Sequence, residues 1–267
     1  MDSPSAGARV LAHQRVGAGP QPLVLLHGLL GSARNLATLA REIVARRGDL
    51  AVVALDLTGH GASPPLPPDA DTATLASDVL ATADALGLSA PLTLVGHSLG
   101  GRVALRAAQR APADVAAVTL LDIAPGPVEG DGVTRVLEIV ARAPDVFASR
   151  GEARTQFVAA GVAPALADWL LLNLEPVGDT YRWRIDRSAL AALHTRMARE
   201  DLWPVVEEAR EWSLRCVRGA ASPYVSDGDA RRLEAARCSV VTIAGAGHFL
   251  HAERPREVAE AIAALGA

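Results

Sequence analysis

The stretch Leu92-Thr93-Leu94-Val95-Gly96-His97-Ser98-Leu99-Gly100-Gly101 decides how this chain folds. A short apolar run leads into Gly-x-Ser-x-Gly, and the residues behind it, Arg102-Val103-Ala104-Leu105-Arg106-Ala107-Ala108, are helix-like. A serine bracketed by glycines two residues to either side, between a strand and a helix, has the pattern of a nucleophile elbow. The turn is too sharp to leave room for a Cβ at the bracketing positions, and it strains the serine backbone. It lifts the Ser98 hydroxyl above the sheet edge. The helix that starts behind it aims free N–H groups and the positive end of its dipole at any anion formed there.

Working outward, strand-like and helix-like segments alternate, which predicts an α/β fold: a mainly parallel sheet with helices on both faces. Strands are expected over residues 10–16 (an edge strand), 23–26, 51–55, 92–95, 118–121, 213–218 and 239–243. Helices are expected over 35–46, where Leu36, Leu39, Ala40 and Ile43 share a face, over 72–86, from 229 to 236, and from Pro255 to Leu265. Pro255 suits a first helical turn. The alternation stops between about residues 126 and 206, where helical pieces (133–141, 165–174, 188–198) and one hairpin-like stretch (177–183) permit no strand-turn-helix unit. Residues 1–125 and 207–267 therefore form the predicted core domain, and 126–206 an inserted helical cap.

Composition narrows the function. Half of the 267 residues are hydrophobic, enough for a large core, and the net charge is −4 with arginine greatly outnumbering lysine. No basic stripe interleaved with aromatics is present, which argues against a nucleic-acid partner. The segment Met1-Asp2-Ser3-Pro4-Ser5 lacks the basic and apolar regions of a secretory leader, and no apolar run reaches membrane-spanning length, so a cytoplasmic protein without membrane association is expected. Cys216 and Cys238 are too few for a disulfide framework and lack metal-ligand spacing; both read as buried small hydrophobes. No cofactor or metal is expected.

A serine nucleophile needs a base, an orienting acid and an oxyanion hole. Of seven histidines, His248 has the required chain order and lies in the glycine-rich loop Ala244-Gly245-Ala246-Gly247-His248-Phe249 past the last strand. The oxyanion donors are expected to be the backbone N–H groups of Leu99, which follows the serine, and Leu29, in the loop His27-Gly28-Leu29-Leu30-Gly31 after an early strand. Each such donor is worth roughly 3–4 kcal/mol in the transition state. His27 is expected to hold that loop by hydrogen bonding.

Four segments taken together resemble the α/β-hydrolase superfamily: His27-Gly28-Leu29-Leu30-Gly31-Ser32, Asp56-Leu57-Thr58-Gly59-His60-Gly61-Ala62-Ser63, Gly96-His97-Ser98-Leu99-Gly100-Gly101 and Gly245-Ala246-Gly247-His248. The resemblance spans the chain outside the cap and implies the α/β-hydrolase fold, with a sheet of about seven strands. The segment from Asp56 to Ser63 reads as a structural turn. A serine at the elbow separates this chain from the dehalogenase and epoxide-hydrolase branches, which use aspartate.

The superfamily's usual slot for the acid falls on Ser222, which cannot serve. Asp227 and Asp229 follow it, as cap and dipole partners of the next helix. The other slot is Asp122, ending the strand after the nucleophile. Asp122-Ile123-Ala124-Pro125, Gly219-Ala220-Ala221-Ser222-Pro223-Tyr224 and Asn173-Leu174-Glu175 with Tyr181-Arg182-Trp183-Arg184 resemble small bacterial esterases and the animal abhydrolase-domain group, some of which use this earlier aspartate. Asp122 is the preferred acid and Asp227 the alternative.

This reading implies a serine hydrolase that cleaves a small to medium carboxylic ester or thioester through an acyl-Ser98 intermediate, as a monomer or small homo-oligomer. Expected substrate-binding residues are His27, Leu30, Trp169, Leu172, Trp183, His194, Tyr224 and Phe249, with Leu170 and Leu190 as further cap candidates. Arg182, Arg184 and Arg187 form either an attractor for an anionic thioester leaving group or a solvated surface cluster. Two other classes stay open: a non-hydrolytic lyase or cyclase, or carbon–carbon bond hydrolase, using the same triad, and a ligand-sensing binding protein of hydrolase fold.

Overall fold

A computed structural model describes residues 9–128 and 132–264 of the chain. The N-terminal segment Met1 to Ser5 and Leu265, the expected end of the last helix, lie outside the described residues. The first half runs β1 (His13–Val16), β2 (Gln21–Leu26), α1 (Ala37–Arg46), β3 (Leu50–Leu55), α2 (Thr72–Ala85), β4 (Leu92–His97), α3 (Leu99–Arg110) and β5 (Val115–Leu121). The segment after β5 holds α4 (Gly132–Arg142), β6 (Val146–Phe147), α5 (Arg150–Ala159), α6 (Pro164–Leu170), β7 (Leu174–Val177), β8 (Thr180–Trp183), α7 (Arg187–Ala198) and α8 (Trp203–Glu207). The chain then returns with β9 (Ser213–Gly219), α9 (Asp227–Ala235), β10 (Cys238–Ile243), α10 (Leu250–Glu253) and α11 (Pro255–Ala263).

Seven strands form one sheet in the order β1-β3-β2-β4-β5-β9-β10. Every pairing is parallel except that of β1 with β3. The strands β2, β3, β4 and β5 are largely buried on both faces, which is why they read as near-continuous apolar runs rather than alternating ones, whereas β9 and β10 toward the edge keep partly exposed residues. Successive residues still part to opposite sides: Leu23 and Leu25 of β2 join the cluster under α1 and α11, whereas Val24 and Leu26 join the cluster under α2 and α3. Cys216 and Cys238 are buried free thiols, and burial pushes Cys238 up to about 12.

The segment between β5 and β9 departs from the expected helical pieces. The stretch predicted as one helix over 165–174 ends at Leu170, makes a 3-10 turn at Leu171–Asn173 and opens a strand at Leu174. The hairpin turns at Gly178, where φ is +58°, and β6 joins it to make an antiparallel sheet β6-β8-β7. With only two residues, β6 has no readable period.

Two clamps fix this segment and the loops of the sheet relative to each other. The first is Arg102 on α3, fully buried. Its guanidinium donates to the carbonyls of Ala124 at 3.3 Å, Gly126 at 2.7 Å and Glu200 at 2.6 Å, so it binds the chain both where it leaves the sheet and where it comes back. The second is a pair of buried histidines. His27 Nε2 accepts from Leu57 N at 2.9 Å, while its Nδ1–H donates to the Gly28 carbonyl at 2.8 Å. His60 Nε2 accepts from Leu30 N at 3.3 Å, and its Nδ1–H donates to the Thr58 carbonyl at 3.1 Å. Both rings therefore need to be neutral, and burial lowers His27 to about 4 and His60 to about 3. Asp56 closes the same turn, accepting from Ala33 N at 2.7 Å and Ala62 N at 2.8 Å.

Replacing Arg102 with Met leaves buried carbonyls without donors. It should lower the unfolding free energy by about 2–4 kcal/mol in a urea titration, and an unchanged midpoint would refute the clamp. The histidines predict a pH dependence. A ring with a lower pKa folded than unfolded takes its proton preferentially in the unfolded chain. The full stability is thus present above pH 6.5 and is lost progressively as the pH falls toward 4 and then 3. His60→Gln should flatten the slope of unfolding free energy over that window by up to about 1.4 kcal/mol per pH unit. An identical slope in wild type and variant would contradict the assignment.

Candidate active site

The elbow forms where β4 runs into α3. Ser98 has φ +50° and ψ −114°, a strained backbone for a residue with a side chain, of the kind that persists where surrounding structure imposes it. What imposes it is close packing at the bracketing glycines. A Cβ on Gly96 would sit 2.2 Å from the Gly100 backbone, and one on Gly100 would sit 2.4 Å from the Leu26 carbonyl oxygen. Leu99 opens α3, so its N–H has no partner within the helix.

Asp122 follows β5 directly and is fully buried. Its carboxylate accepts from Gly219 N at 2.9 Å, from the Ser222 hydroxyl and from His248 Nδ1–H at 2.8 Å. With Nδ1 so engaged, His248 presents Nε2 as its basic nitrogen. Asp227, by contrast, lies on the exposed first turn of α9, paired with Arg218 at 2.7 Å. Of the two expected acids, the structure brings Asp122 to His248 and keeps Asp227 away.

Ser98 and His248 line the same cavity of about 250 Å³, and Leu29 borders it. Leu29 belongs to the loop held by His27 and His60. The Leu30 carbonyl, whose residue has φ +59°, accepts from Trp169 Nε1 at 3.1 Å and Asn173 Nδ2 at 2.8 Å. The loop is thereby tied to the segment beyond β5 as well as to the sheet. Tyr224 stacks on the His248 ring at 3.9 Å, and Phe249 meets the same ring edge-on at 5.3 Å.

Of the expected binding residues, Leu30, Trp169, His194, Tyr224 and Phe249 line the cavity. Three do not. His27 is fully buried behind the loop it fastens. Leu172 falls in the 3-10 turn after α6 and does not reach the cavity wall. Trp183 packs against Phe147 and Phe157 at 6.1 and 5.8 Å, with its Nε1 donating to the Pro144 carbonyl. The cap candidates Leu170 and Leu190 are fully buried in the core rather than on the cavity wall. The arginines also lie elsewhere. Arg187 is bound to the Val140 and Ala143 carbonyls and to Asp145, and Arg184 is paired with Glu175.

Two features escaped the sequence reading. The aliphatic wall is completed by Ile123, Val128, Val133, Val136, Leu166 and Met197. The i, i+3 spacing of Val133 and Val136 was their one visible signal. His97, inside the elbow motif, donates from Nε2 to the His248 carbonyl at 2.9 Å and lies against the rings of His248 and His251 at 4.6 and 4.3 Å. Burial holds His97 well below the usual imidazole range and lowers His251 to about 3. Nothing in the local pattern distinguishes His97 from any other residue at the variable position of the motif.

The chain matches the alpha/beta hydrolase family model over residues 23–261. The sn-1-specific diacylglycerol lipase ABHD11 of Mus musculus is 30% identical over 90% of this chain and 79% of its own length. Esterase YbfF of Escherichia coli is 31% identical, covering 90% of this chain and 91% of its own. Lipase LipV of Mycobacterium tuberculosis is 33% identical over 93% and 95%. Among solved structures, a marine microorganism esterase superposes with a TM-score of 0.85 at 25% identity, covering 95% of this chain and 98% of that one. The sheet order, the elbow and these matches agree: this chain belongs to the alpha/beta hydrolase family.

Proposed function

We propose that this chain is a carboxylic-ester hydrolase that works through an acyl-Ser98 intermediate, with His248 as general base and acid and Asp122 as the orienting carboxylate. The observation that carries the reading is the 2.8 Å contact between His248 Nδ1 and the buried Asp122 carboxylate, beside a cavity that Ser98 also lines. The esterases and lipases similar to this chain support ester hydrolysis as the reaction class.

In this mechanism His248 Nε2 takes the Ser98 hydroxyl proton as Oγ attacks the ester carbonyl carbon. The negative charge that develops on the carbonyl oxygen is met by the N–H groups of Leu29 and Leu99. Collapse of the tetrahedral intermediate breaks the bond to the alcohol oxygen, which receives the proton from His248. A water molecule, deprotonated by the same nitrogen, then attacks the acyl carbon, and the acid leaves as Oγ regains its proton. Asp122 holds the imidazole in the tautomer that leaves Nε2 basic and stabilises the imidazolium that forms. Segment 126–206 acts as a cap, and its aliphatic side chains with Leu30, Trp169 and Phe249 favour an apolar acyl group of small to medium size. The arginines of the cap lie off the cavity wall, which favours an oxygen ester over a phosphate-bearing thioester.

Hydrolysis of p-nitrophenyl butyrate tests the assignment. Ser98→Ala and Asp122→Asn should each lower kcat by roughly 10³-fold or more, whereas Asp227→Asn, which loses one exposed ion pair, should stay within about twofold. A larger loss in Asp227→Asn than in Asp122→Asn would move the acid, and full activity in Ser98→Ala would discard the nucleophile.

A further inference from the structure

A second depression, of about 400 Å³, adjoins the cavity of Ser98 and shares three of its walls, Ile123, Val128 and Tyr224. Its remaining walls are different in kind. Asp201, Trp203, Asp229 and Arg232 border it. The Arg232 guanidinium lies 4.0 Å over the Trp203 ring and pairs with Glu207 at 2.6 Å, so it is held flat. Asp201 uses Oδ1 to accept from Trp203 N at 3.0 Å, and Asp229 uses Oδ2 to accept from Ser226. Among the described residues, the other oxygen of each carboxylate has no hydrogen-bond partner.

The position of this groove gives it a direction. The leaving alcohol takes its proton from His248, so it departs past that ring. Tyr224 is the side chain stacked on the ring, at 3.9 Å, and it is also a wall of the groove. The aliphatic cavity and the polar groove thus meet at a common wall of Ile123, Val128 and Tyr224, one suited to an acyl chain and the other not.

We propose that this groove is the alcohol subsite and that it takes a polyol. This rests on the acyl-Ser98 reading. Hydroxyl groups donate to the free oxygens of Asp201 and Asp229 and accept from Arg232. Two carboxylates on its rim repel a phosphate or carboxylate leaving group. The face of Trp203 is covered by Arg232, so it does not receive an organic cation.

The subsite is tested by letting alcohols compete with water for the acyl-enzyme formed from p-nitrophenyl butyrate. Transfer to glycerol gives glyceryl butyrate, and transfer to 1-propanol gives propyl butyrate. Transfer to glycerol should saturate with concentration and should exceed transfer to 1-propanol at equal concentration by about tenfold, the worth of one hydrogen bond to a charged group. In the Asp201→Asn/Asp229→Asn double variant this ratio should fall toward one. Because the ratio is read within each protein, a change in overall rate cancels. Asn at position 201 retains the ability to cap Trp203 N, so Asp201→Asn alone carries the comparison if the double variant does not fold. Equal transfer to the two alcohols, or a ratio unchanged by the substitutions, would overturn the polyol subsite. Failure of p-nitrophenyl butyrate to acylate Ser98 would instead overturn the reading beneath it.

Discussion

The buried carboxylate of Asp122 is the constraint on which the site depends. A carboxylate with no access to solvent is tolerable only when donors surround it. Here they come from three different chain segments: Gly219 N at the end of β9, the Ser222 hydroxyl in the loop that follows, and His248 Nδ1 in the loop after β10. Asp122 itself has φ +54°, and its N–H donates to the Val217 carbonyl at 2.9 Å. Satisfying one charge therefore sets the mutual positions of β5, β9 and the histidine loop. The orientation of the base follows from the same requirement.

The loop that brings Gly28, Leu29 and Leu30 to the cavity is held by neutral histidines instead. His27 and His60 tie it to the turn that begins at Asp56, and Trp169 and Asn173 reach the Leu30 carbonyl from the segment beyond β5. Arg102, four residues after Ser98, grips both crossings of that segment. The elbow, the loop and the covering segment are joined by directional bonds from buried polar groups. Loss of any one leaves a buried group without a partner.

The centre of the sheet was legible because β2, β3, β4 and β5 are largely buried on both faces and so appear as apolar runs. The elbow was legible because Gly96 and Gly100 are sterically required. Asp122 was also readable as the carboxylate that meets His248, since Ser222 in the usual slot cannot act as a carboxylate. The role of Ser222 as a hydrogen-bond donor to that carboxylate was not, because it depends on β5 and β9 being neighbours in the sheet. The segment between β5 and β9 was the least legible. Its helices are short, β6 has two residues, and the stretch expected as one helix over 165–174 is split into α6, a 3-10 turn at Leu171–Asn173 and the start of β7. Trp183 misled for a general reason: an aromatic side chain fills a local core as readily as a cavity wall, and here it packs on Phe147 and Phe157.

Everything proposed for this site requires that Ser98 be the residue acylated. The most direct test is to react the folded protein with a fluorophosphonate and locate the adduct by peptide mass spectrometry. The account predicts one adduct, on Ser98, formed much more slowly when Asp122 is replaced by Asn. An adduct on another residue, or retained ester hydrolysis with Ser98 unmodified, would contradict it.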